Sequence, residues 1–264
     1  MKDLLHGLAD AVQGELGRAT GDLAEVVGKG ADGAPSRRID AVAERAAFSY
    51  LDRALPKGYT ILSEEAGRVD HGGEWTIVLD PVDGTHNAIR GIPAYAVSVA
   101  LCKKAPAGRL ERLSDIRAGL VRDLVSGITY YAEVGKGATR NGTSTQVRKP
   151  FSPRDTVFDV YLGEKAHRRA NDVANLGRRV RNLGAASLDL CLVACGAADL
   201  YYMNSGETGH ELRAVDIAAG VLIVREAGGG VVDLDRGALD MPLDVTSRTN
   251  LIAYGDEQIL EMLP

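Results

Sequence analysis

A chain of 264 residues, 45% hydrophobic and 25% charged, is long enough to bury a substantial core and is too apolar for a disordered protein. Its formal charge of −5 gives no general attraction to nucleic acid or to an anionic membrane, so a phosphorylated ligand must be held by local groups. Cys102, Cys191 and Cys195 lack the spacing of a zinc site and read as small buried hydrophobes.

The first residues carry Asp3, Asp10 and Glu15 among apolar positions, which breaks the pattern of a signal peptide. Leu4, Leu5, Leu8, Val12, Leu16, Leu23 and Val26 recur at helical spacing and predict an amphipathic helix over 3–26. Ile39, Val42, Ala43, Ala46, Tyr50 and Leu51 predict a second over 37–54, and the Gly-rich 27–36 segment joins the two. Strands are expected at 59–63, 75–80, 93–103, 117–123 and 127–133, each short, rich in Val, Ile, Tyr or Leu and bounded by Gly, Pro or charge. The nearly apolar run 92–102 is about half of the ~20 residues that span a bilayer, so it reads as a buried strand and the protein is expected in the cytoplasm. Beyond residue 155 strands and helices alternate: strands at 156–161, 179–183 and 198–203, and helices near 166–176, 187–194 and 213–227. The expected organisation is an α+β half, 1–150, and an α/β half, 151–264, packed as one catalytic unit.

The segment Trp75-Thr-Ile-Val-Leu-Asp80-Pro81-Val82-Asp83-Gly84-Thr85 is an apolar strand that ends in two aspartates. Pro81 is expected to stop the strand ladder and Gly84 to allow a tight turn, so that both carboxylates and the Val82 carbonyl converge beyond the sheet edge. Hard oxygen ligands grouped in this way suit Mg²⁺. The backbone N–H groups of Gly84 and Thr85 are placed to meet a phosphate. Read singly, Asp80–Asp83 is also an ordinary turn sequence, Glu64-Glu65 an ordinary solvated loop, and Asp216 an ordinary acid at a helix start. A shared site follows if the strand before Glu64 neighbours the strand before Asp80.

Together, Ser63-Glu64-Glu65, D-P-V-D-G-T at 80–85 and V-D-I-A-A-G at 215–220 resemble the inositol monophosphatase family and its archaeal-type relatives that act on fructose bisphosphate. The resemblance spans nearly the whole chain, with further matches at Arg38-Ile39-Asp40, Gly184-Ala185-Ala186 and Glu226. It implies an α/β, five-layer αβαβα sandwich and a Mg²⁺-dependent phosphomonoesterase that hydrolyses inositol monophosphate, fructose 1,6-bisphosphate or both by metal-activated water. Two to three Mg²⁺ ions, or Mn²⁺ in their place, would be held by Glu64, Asp80, the Val82 carbonyl, Asp83 and Asp216. Asp40, Glu64 and Thr85 would serve catalysis, while Asp83, Gly84, Thr85, Arg181, Ala186 and Arg213 would contact a small phosphorylated sugar or polyol. A homodimer is implied by resemblance alone, with no nucleic-acid or membrane partner. The rival activity is a 3′(2′)-phosphonucleotide or NADP phosphatase. The rival outside enzymology is a metabolite-sensing or partner-binding module, which the full set of carboxylates argues against.

Overall fold

The structure is a computed structural model that describes residues 1–31, 33–206 and 212–264. Helix α1 (Lys2–Leu16) buries Leu5, Leu8, Ala9 and Val12, the single stripe that an amphipathic helix turns to a core. A hairpin of β1 (Val26–Lys29) and β2 (Pro35–Arg37) leads into α2 (Arg38–Ala54), which lies against α1 and buries Ile39, Ala43, Ala47 and Leu51. There follow β3 (Thr60–Ser63), β4 (Gly67–Asp70), β5 (Trp75–Asp83), the short α3 (Thr85–Arg90), β6 (Ala96–Lys103), β7 (Ile116–Asp123), β8 (Thr129–Glu133), β9 (Ala138–Arg140) and β10 (Thr143–Thr145). These strands make one eight-stranded sheet in the order β10-β9-β8-β7-β6-β5-β3-β4, antiparallel except where β3 runs parallel to β5.

The second half contributes β11 (Val157–Val160), α4 (Arg168–Leu176), β12 (Arg179–Arg181), α5 (Ala186–Ala194), β13 (Leu200–Met203), β14 (Leu212–Arg213), α6 (Ala214–Glu226), β15 (Gly230–Val232), β16 (Arg248–Thr249) and β17 (Leu251–Tyr254). Five of these strands form a second sheet, β12-β11-β13-β17-β15.

Side-chain alternation along the strands sorts the molecule into layers. On β5, Ile77 and Leu79 pack with α1 and α2, while Val78 joins the core around α5 and α6. On β13, Tyr201 and Met203 enter that central core, while Leu200 and Tyr202 pack outward with Ala170 and Val173 of α4. The order is therefore helix pair, sheet, helix pair, sheet, helix, which is the expected five-layer sandwich. Helix α6 is buried from Ala214 through Val224, as an element apolar all round must be. It approaches β7 so closely that a Cβ on Gly119 would meet Ala219 at 2.9 Å. Among the described residues no helix is long and apolar enough to cross a membrane.

Two expectations are corrected. The helix over 3–26 ends at Leu16, because Gly17 and Gly21, the latter at φ 89°, turn the chain out of it. Leu23 still packs into the same core as α1, which prolongs the apolar spacing beyond the helix. The β5 ladder does not stop at Pro81: it runs to Asp83 across an irregularity in which Asp80 pairs with Ser98 and Asp83 with Ala96.

Candidate active site

That irregularity builds the site. In a regular strand residues three apart point to opposite faces, so Asp80 and Asp83 would be separated by the sheet. Pro81 and Val82 together oppose the single residue Val97, and this bulge of one extra residue returns both carboxylates to the face that carries α5 and α6. Pro81, which lacks an N–H, loses no ladder bond there. Gly84 holds φ 87° at the turn into α3, and a Cβ on it would press on Ala94 O at 2.9 Å and Ala185 Cβ at 3.1 Å. The parallel register that sets Ser63 beside Leu79 puts Glu64 at the same sheet edge as Asp80. Asp216 arrives from the first turn of α6, its Oδ2 accepting from Arg213 N at 2.8 Å.

Oxygens of Glu64, Asp80 and Asp216 lie within 4.8 Å of one another. Asp80 is 1% exposed; burial, then the charges of Glu64, Asp83 and Asp216, push its pKa well above the usual carboxylate value. Burial raises Glu64 to about 7 against the pull of Arg213, and raises Asp83 to about 7 with a further push from Asp216. The Arg213 guanidinium donates to Asp216 Oδ1 from Nη2 at 2.9 Å and to Glu64 Oε1 from Nη1. Burial alone would lower its pKa, yet the two carboxylates hold it above the ordinary value. Hard oxygen donors crowded and buried in this way fit a divalent cation, which would relieve the like-charge repulsion.

The remaining predicted residues fall in three places. Thr85 Oγ1 lies 2.8 Å from Asp40 Oδ1 and 2.9 Å from Val82 O, which joins α2 to the bulge. Burial raises Asp40 to about 6, opposed by the Thr85 hydrogen bond. Asp83, Gly84, Thr85, Ala186 and Arg213 line the same cleft of about 320 Å³ as the carboxylate triad. Arg181 is not among the cleft's lining residues: it is exposed on β12 and its Nη1 donates to Val180 O at 2.9 Å. From the 27–36 segment, Ala31 N donates to Glu64 O at 3.3 Å. Of the stretch 202–212, which the family resemblance does not cover, residues 207–211 lie outside the described residues.

Sequence reasoning missed two contributors. Ser187 donates to Asp83 Oδ2 from both N, at 2.7 Å, and Oγ, at 2.5 Å, and so fixes that carboxylate. Asp189 lines the cleft from within α5, an acid inside an otherwise apolar helix, and that misplaced charge was the available signal.

A model of the inositol monophosphatase family matches residues 3–263. A fructose-1,6-bisphosphatase/inositol-1-monophosphatase of Methanothermobacter thermautotrophicus is 36% identical over 249 residues, 92% of this chain and 87% of that protein. A bifunctional NADP phosphatase/NAD kinase of Methanococcus maripaludis is 38% identical over 249 residues, covering 88% of this chain and 43% of that longer protein. The solved structure of an inositol monophosphatase-fructose 1,6 bisphosphatase superposes with a TM-score of 0.84 at 31% identity, over 99% of this chain and 97% of the other. On the strength of these matches and the carboxylate centre, the chain belongs to the inositol monophosphatase family of phosphoric monoester hydrolases.

Proposed function

We propose that the chain is a Mg²⁺-dependent phosphomonoesterase that acts on small polyol or sugar phosphates, with inositol monophosphate and fructose 1,6-bisphosphate as the substrates to test first. The observation that carries this reading is the convergence of Glu64, Asp80 and Asp216 on one wall of a cleft that also holds Asp83, Gly84 and Thr85. Glu64, Asp80, Asp83, Asp216 and the Val82 carbonyl would hold two to three ions, which would supply Lewis-acid polarisation of the phosphate and a lowered pKa for water. Asp40 Oδ1 is within reach of the Thr85 Oγ1 proton, so this pair can orient a water and accept its proton, with Asp40 poised near 6. Asp83, locked by Ser187, would position the phosphate ester on the Gly84 and Thr85 backbone. Arg213 would compensate the metal-binding carboxylates, and Arg181 would meet only a second phosphate that extends out of the cleft.

The NADP phosphatase reading is kept alive by the 38% identity to the Methanococcus maripaludis protein. Phosphate release from inositol monophosphate, fructose 1,6-bisphosphate and NADP⁺, with Mg²⁺ and with a chelator, separates the readings. Release from the first two that stops on chelation supports the proposal, release from NADP⁺ alone supports the second reading, and none from any overturns both. The homodimer expected from the family is checked by sedimentation of the intact chain.

A further inference from the structure

Asp189 lines the cleft and Asp159 lies buried next to it outside the lining, two acids that the metal chemistry leaves unused. Asp159, on β11, is 1% exposed, and Asp189, on α5, is 2% exposed. Alternation along β11 turns Asp159 inward, opposite to Phe158 and Val160, towards α5. There the two carboxyl groups come close enough to perturb one another. Among the described residues no donor reaches Asp159 Oδ1, Asp159 Oδ2 or Asp189 Oδ1. The charges that face the pair are Arg181 of β12, in register beside Asp159, and Asp83 of β5, with the Tyr201 phenol of β13 nearby. Arg181 is exposed and its Nη1 is spent on a backbone carbonyl.

Two carboxyl groups in contact cannot both ionise in a dry site, so the pair carries one proton. Burial drives both groups in that direction, Asp159 to about 6 and Asp189 well above the usual range. Buried acceptors without donors are rare and unfavourable in a folded chain, and an arriving donor relieves them. Asp189 lines the cleft together with Tyr161, Asn182, Gly184 and Tyr201, on the side where the non-phosphate end of a substrate would lie. A pair that shares one proton offers acceptors and a donor at once, which matches an alcohol, a group that also does both.

We propose that Asp189, backed by Asp159, is a hydroxyl-recognising subsite that selects a polyhydroxylated substrate over one with a bare hydrocarbon body. This rests on the phosphatase reading of the cleft and adds the feature of the substrate that the far wall reads. Asp189 is the contact; Asp159 is a positioning residue that holds its rotamer and shares its proton.

The test compares kcat/KM for inositol 1-phosphate with that for cyclohexyl phosphate, which keeps the ring and lacks the hydroxyls, at saturating Mg²⁺. In Asp189→Leu the ratio of the two is expected to fall about tenfold, chiefly through KM for the inositol ester. Asp189→Asn keeps an acceptor and loses less. A ratio that moves less than threefold in Asp189→Leu overturns the proposal. If Asp189→Leu does not fold, judged by its melting transition, Asp189→Ala decides by the same threefold criterion. Wild-type protein that cleaves neither ester with Mg²⁺ removes the phosphatase reading and this inference with it. Turnover of both esters with an unchanged ratio removes only the inference.

Discussion

Two groups of acids meet at or beside one cleft, and the charge within each is offset by different means. Glu64 and Asp216 hold a guanidinium between them beside Asp80, whereas Asp159 and Asp189 face each other with only the exposed Arg181 as a nearby cation. Arginine stays charged at any working pH, so the first group keeps a fixed positive partner that a divalent ion can supplement or displace. The second group relies on a proton, which a substrate hydroxyl can complement and which rising pH removes. The contrast teaches that burial by itself does not define a metal site; the number of converging oxygens and the kind of counter-charge do.

The sharpest break of this contrast comes from the triad itself. Asp216→Asn keeps the shape of the α6 start but removes one anionic ligand, and turnover should drop by about 10³-fold or more with the fold retained. Near-normal phosphate release from a variant that melts like wild type would sink the assignment. Chelation should abolish activity in the same assay, and Mg²⁺ at a hundredfold over its Kd should restore it and stabilise the fold by about 3 kcal/mol, read as a rise in Tm. A Tm indifferent to Mg²⁺ would mean that the carboxylates bind no ion.

Arg213→Met tests the guanidinium. Leaving Glu64 and Asp216 without their cation should lower the stability of metal-free protein by about 2–4 kcal/mol in a denaturant titration, and by clearly less with Mg²⁺ present. An equal loss in both conditions would show that arginine and metal do not share a role.

The proton-sharing pair should reveal itself through pH. The folded pKa of Asp159 lies at about 6, above its ordinary 3.8, so the folded state holds the proton more tightly than the unfolded one. Its stabilising contribution is then complete below about pH 4 and is lost as pH rises through 6. Asp159→Asn, whose amide can donate to Asp189 at any pH, should flatten the fall in Tm between about pH 4 and 6. At pH 8 the variant should be the more stable protein, by on the order of 1–3 kcal/mol. Parallel curves for the two proteins would contradict the shared proton. The smallest effect is expected for Ser187→Ala, which removes one of two donors to Asp83 and should raise KM about threefold at little change in Tm.

The amino-acid sequence alone marked most of the elements and the acids that the fold brings together. Helical and alternating spacing marked α2, the central strands of the first sheet and β11 to β13 of the second, and acids directly after apolar strands, at Glu64 and Asp80, are costly unless they meet a cation. The tertiary structure decided everything that depends on which surfaces meet. The bulge over Pro81 and Val82 sets Asp80 and Asp83 on one face, a matter of register against β6 that local spacing does not contain. By resemblance Arg213 is expected at the substrate, and its ion pair with Glu64, far away in the chain, exists only once the two are folded together. Asp159 and Asp189 each read as one acid among apolar neighbours, and only the packing of α5 on the second sheet makes them a pair. Local sequence encodes what a residue can bind, but like charges are forced to share an ion, a guanidinium or a proton only when long-range packing takes them out of water together.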